Sequence, residues 1–97
     1  MRFSPELRAA VAAGEITVSV RLWQRAQVRE GRRYETDGAV IMIDSVEVLP
    51  FSAITSEDVL RSGESDREAL RRRAAHAGPI GEATLVHRVG FHVVSET

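Results

Sequence analysis

Asp37-Gly38 is the feature that most narrows what this chain can become. The pair is a two-residue turn signal between a short run at Tyr34 and a long apolar run that starts at Ala39, and it predicts an antiparallel hairpin. The second arm, Ala39 to Leu49, lacks a clean alternation of apolar and polar residues. Strands buried on both faces, or broken by a bulge, have that pattern, so this arm is expected to be central in a sheet. Pro50 then ends it.

Helical signals punctuate the rest. "SPELRAAVAAGE" offers Ser4 as an N-cap, Pro5 at the first helical position and Gly14 just past the end. "TSEDVLRSGE" predicts one or two turns capped by Thr55, with Asp58 three residues on and Gly63 closing. In "SDREALRRRAAHAGP", Ser65 and Glu68 match a capping box, arginines 71 to 73 follow in the later turns, and Gly78-Pro79 stop the helix. His76 fits the C-terminal end of that helix as a charge facing its dipole. "ATLVHRVGFHVV" alternates Leu85, His87, Val89, Phe91 and Val93 against Thr84, Val86, Arg88, Gly90 and His92, which predicts a closing strand. Helix, three strands, two helices and a strand are too few for a doubly wound sheet. They imply a small mixed α+β domain with a curved or barrel-like sheet.

The chain has 97 residues and no cysteine, so one domain spanning 1–97 is expected, and thiolate chemistry and cysteine-containing zinc sites are excluded. No metal or cofactor is expected. No stretch approaches the roughly 18 apolar residues of a membrane span and no signal-type apolar run opens the chain, so the expected location is cytoplasmic, with no membrane partner. A formal net charge of −1 argues against coating duplex nucleic acid by bulk charge. The average hides an asymmetry. Arg21, Arg25, Arg29, Arg32 and Arg33 face a single acid, Glu30, whereas from Glu35 to Asp66 eight acids meet Arg61 alone. A solvated loop that offsets acids elsewhere is one reading of the basic segment; a ligand contact is the other. All thirteen basic residues are arginine.

"ITVSVRLW", Ile16 to Trp23, alternates as a strand: Ile16, Val18, Val20 and Leu22 form an apolar face, and Thr17, Ser19, Arg21 and Trp23 form a row that the alternation sets apart from that core face.

With "LRAAVAAGEITVSVRLW", "VREGRRYETDGAVIMIDSVEVLPFSAITSEDVLRSGESDREAL" and "LVHRVGFHVV" on the page, the chain resembles the ASCH family over nearly its whole length. That resemblance implies a PUA-like fold, a small β-barrel flanked by short helices. The family's first strand carries G-x-K-S/T-x-S/T-x-R, matched here by Gly14, Thr17, Ser19 and Arg21, with Ile16 where the lysine stands. The resemblance places the row in a cleft that takes single-stranded RNA or a nucleobase; the alternation of the closing strand, which puts Arg88 and His92 on one face, adds those two residues as candidates beside it. Some members are amidohydrolases that deacetylate N4-acetylcytidine; their catalytic hydroxyl and glutamate carry over to Ser19 and Glu68, and their lysine has no counterpart.

Chemistry suits the assignment. A guanidinium fork can hold a phosphate or a base edge, an indole can stack on a base, and the Ser19 and Thr17 hydroxyls can bond exocyclic groups. Structural roles stand beside these: Trp23 as a lid on the core, Arg21 paired with Asp44 or Glu68, Glu68 as a cap, Asp58 as the cap of its own turn. His87 and His92 are five residues apart and point to opposite faces of a regular strand, so only one can reach a cleft, and Arg88 shares the face of His92. The expected function is an RNA- or modified-nucleoside-binding domain. The alternatives are a hydrolase acting on a modified nucleoside, or a protein-interaction module without nucleotide chemistry.

Overall fold

The structure, a computed structural model, describes residues 1–94 apart from the side chain of Ala77. Its element order is α1 (Pro5–Ala12), β1 (Val18–Arg21), β2 (Arg33–Thr36), β3 (Ala39–Pro50), a 3-10 turn (Phe51–Ala53), α2 (Ser56–Arg61), α3 (Arg67–Ala74), a second 3-10 turn (Ala75–Ala77) and β4 (Leu85–Val94). The strands form one antiparallel sheet in the order β1-β4-β3-β2, curved into a half-barrel, with β1 and β2 as its edges. The hairpin turns as its sequence requires, with Asp37 and Gly38 both at positive φ, 50° and 88°. β3 is central, flanked by β2 and β4, and it carries a bulge: Ile43 faces Phe91 and Ser45 faces Gly90, which leaves Asp44 as the extra residue.

Residues opposite one another across a ladder share a face, and both faces of this sheet are covered. On one, Val18, Val20 and Val86 pack against Phe51, Ile54, Val59 from α2 and Leu70 from α3. On the other, Ile41, Ile43, Val89 and Phe91 pack against Phe3, Val11 of α1 and Val28 of the β1–β2 connector. The most shielded side chains, Phe51, Phe91, Ile41, Ile43, Val86 and Val89, are under 2% exposed, and burial of each is worth about 1.5–3 kcal/mol relative to exposure. The connector is stitched down as well, by Gly31 N–H to the Ile43 carbonyl at 2.8 Å and Ile43 N–H to the Arg32 carbonyl at 3.0 Å.

Local expectations are revised at three points. Ser4 occupies the N-cap of α1, but its side chain makes no cap bond, and Leu7 N–H reaches its carbonyl instead. α3 is capped by Asp66, whose carboxylate accepts from Ala69 N–H at 2.8 Å, so the box of Ser65 and Glu68 does not form. β1 is four residues long, not eight, because Thr17 N–H turns away to the Arg61 carbonyl at 2.9 Å. The box of Thr55 and Asp58 forms as its spacing requires.

Candidate functional site

A cleft of about 800 Å³ runs along β1. Val18, Ser19, Val20, Arg21 and Leu22 all line it. Consecutive residues of a strand, whose side chains alternate between faces, all line one cavity only when the strand turns its edge towards it. The cleft is therefore built on the unpaired edge of the sheet. Phe3, Ser4, Leu7, Ser62, Leu70 and Ala74 line it too, with Trp23 and Arg25.

The row read from the sequence is not a bare cleft face. Ser19 is 7% exposed, because α1 and the connector cover its side of the sheet. Arg21 bridges core and cleft. Its Nε donates to Ser19 Oγ at 2.7 Å, its Nη2 donates to the Arg2 carbonyl at 2.6 Å, and its guanidinium carbon lies 5.1 Å from the centre of the Phe3 ring. Neither Asp44 nor Glu68 pairs with it; among the described residues no carboxylate lies within ion-pairing distance of Arg21. Burial pushes its guanidinium below the ordinary arginine value, yet arginine remains charged. Trp23 is half-buried, packs on the second core and lies 5.5 Å from the His87 ring, so it has both the lid role and a place in the cleft.

Of the residues singled out from the sequence, the cleft gathers Ser19, Arg21 and Trp23 and leaves out Thr17, Arg88, His92 and Glu68. The register explains two of these. Arg21 lies opposite His87 and Val20 opposite Arg88, so Arg88, and His92 four residues along the unbulged β4, belong to the opposite face from the Ser19–Arg21 row. Arg88 pairs there with Glu47 at 2.7 Å and Asp58 at 3.0 Å, and exposed His92 meets Asp44 at 2.9 Å. Burial raises the Asp58 carboxyl, but the Thr55 N–H and the Arg88 guanidinium outweigh it and hold that carboxyl below its ordinary value. Glu68 is exposed and paired with Arg71.

Two further residues stand near the site, of which Glu64 carries no warning in the sequence pattern. Glu64 lines the cleft and is bonded to Arg73, which also reaches Glu6 at 3.0 Å. His87 is 5% exposed, and its Nδ1 is buried without a hydrogen-bond partner. The spacing from His92 does separate the two histidines; which of them shares a face with Arg21 is set by the pairing of β1 with β4. Ile16, in the place of the lysine, is buried against Gly63. Gly63 has φ +84°, and a Cβ there would meet Ile16 Cδ1 at 2.6 Å, so Ile16 packs directly on the backbone of Gly63.

No group of three metal-ligating side chains gathers among the described residues, and no helix there is long and apolar enough to cross a membrane. A curved antiparallel half-barrel with three short helices and a cleft on its edge strand defines the class of this protein as a small PUA-like α+β domain. Solved structures carry the same fold. The chain is similar to an ASCH domain of Lactobacillus crispatus JV V101, with a TM-score of 0.67 and 21% identity over 88% of this chain and 68% of that one. It is also similar to a protein of Enterococcus faecalis V583 assigned to the DUF984 family, with a TM-score of 0.70 and 16% identity over 92% of this chain and 67% of that one. No family model and no curated protein matches the sequence. The fold is thus that of an ASCH domain.

Proposed function

We propose that the β1 cleft binds a nucleobase, from single-stranded RNA or from a modified nucleoside. The observation that carries this reading is Arg21: a half-buried, positioned guanidinium with no carboxylate partner among the described residues, in a cleft that also holds the indole of Trp23. A volume of about 800 Å³ suits small ligands, whose sites span about 300–1,000 Å³. An indole beside a guanidinium suits a planar base, and stacking contributes about 1–3 kcal/mol per base. The ASCH-like fold is compatible with such a ligand. Deacetylation of N4-acetylcytidine is the weaker reading, because Ile16 is buried and apolar and Glu68 lies outside the cleft, which leaves Ser19 without an evident base.

Proton NMR tests the reading directly, since Trp23 is the only tryptophan and supplies the only indole N–H signal. The signal is expected to shift on addition of N4-acetylcytidine or a short single-stranded RNA, with no free acetate. Acetate accumulating over hours would make the protein a hydrolase, and an unmoved indole with both ligands would remove the cleft as a base site and leave protein partners.

A further inference from the structure

Resting on that reading of the cleft, we propose that it contains a phosphate subsite formed by Arg21 with Arg2 and Arg25, so that it takes a phosphorylated nucleoside, either a free nucleotide or one residue of an RNA strand, in preference to a neutral nucleoside. The charges lining the cleft are unbalanced. Glu64 is the one carboxylate among the lining residues described, and it is spent on Arg73; Arg8 is spent on Asp37 at 3.1 Å. Arg2, Arg21 and Arg25 have no ion-pair partner among the described residues. A chain with 14 acidic residues and a net charge of −1 has placed none of them as a partner for these three arginines.

Arg21 is also prepared for an anion. Ser19 Oγ and the Arg2 carbonyl take one N–H each, and the Phe3 ring supports the plane. These contacts hold the side chain in one orientation before any ligand arrives, so little rotamer entropy remains to be lost on binding. The other N–H groups of the fork have no partner among the described residues, and a fork of N–H donors matches two phosphate oxygens. A monoester phosphate carries close to two negative charges near neutral pH and answers several arginines at once.

Calorimetric titrations of the whole chain with cytidine, cytidine 5′-monophosphate, inorganic phosphate and a short single-stranded RNA test this, with the Trp23 indole as a second readout. The monophosphate is expected to bind about tenfold tighter than cytidine, with the gap closing as salt rises. Arg21→Ala should erase the gap, and Arg25→Ala, at an exposed position, should narrow it if the first variant does not fold. Equal affinity for cytidine and its monophosphate overturns the subsite and leaves the base site standing. Binding of inorganic phosphate lost in Arg21→Ala, with no binding of cytidine, keeps the subsite and overturns the base site. No binding in any titration overturns both. If the subsite holds, RNA binding tighter than the monophosphate names a strand as the source of the phosphate, and equal binding names a free nucleotide.

Discussion

Arg67 and Arg21 both rest a guanidinium on a phenylalanine ring, 4.5 Å from the centre of Phe51 in one case and 5.1 Å from that of Phe3 in the other, and there the likeness ends. Arg67 is fully committed: it donates to the Ile54 carbonyl at 2.6 Å and the Phe51 carbonyl at 2.7 Å, and meets Glu82 at 3.4 Å. Arg71 also lies on the Phe51 ring and bonds the Ile80 carbonyl, Glu82 and Glu68, so Glu82, held below its ordinary value by the Arg71 guanidinium, locks this corner. Arg21 has carbonyl and hydroxyl partners on one edge and none on the other. In a chain without lysine, arginine does both jobs, and what separates them is whether a carboxylate accompanies it. The eight acids between Glu35 and Asp66 lie in sequence among the later elements, and the connector that carries Arg25, Arg29 and Arg32 has only Glu30, whose side chain accepts from Val46 N–H.

The sharpest way to separate the two regions is to damage the committed one. Phe51→Ala empties a fully buried site that two guanidinium groups contact and is expected to cost about 3–5 kcal/mol in denaturant unfolding, while any folded fraction keeps its ligand affinity. Asp58→Asn is the intermediate case. It keeps the shape of the cap but loses the charge that meets Arg88, and it should cost about 1–2 kcal/mol near neutral pH. The sign of its pH dependence is fixed: a carboxyl whose folded pKa lies below its unfolded value adds stability above the unfolded value, and that stability is lost as pH falls through the folded one. Unfolding midpoints of the wild-type chain should therefore drop more steeply than those of the variant below the ordinary aspartate value of 3.8. Arg72→Ala is the smallest. Arg72 is exposed, makes no ion pair among the described residues and lies outside the cleft, so stability should stay within about 0.5 kcal/mol and ligand affinity should not move. A loss of affinity there would mean that free arginines act together as a diffuse charge and would dissolve the distinction between the regions.

What was legible in the sequence was local. The Asp37-Gly38 turn and the Thr55–Asp58 box are set by residues within a few positions of each other, and both form as read. Ser65 was a plausible cap, but Asp66 beside it competes for the same helix end and takes it. The candidate site was only half legible. Ser19 and Arg21 stand out by alternation, yet the cover on their face comes from Phe3, Val11 and Val28, residues on either side of the strand whose arrival no period within it announces. Arg88 is placed by the pairing of β1 with β4, and Glu64 by the approach of α3 to the cleft. These are tertiary facts, invisible to any pattern of spacing.

β1 ends the sheet with its outer backbone edge open to the cleft. An uncovered strand edge is a template on which a second chain can add, and proteins defend such edges with charge. Here Arg2, Arg21 and Arg25 supply it, so two copies meeting edge to edge would bring like charges together in the absence of an anion. Removing all three would do more than empty a binding site: it would turn a guarded edge into a seed for self-association.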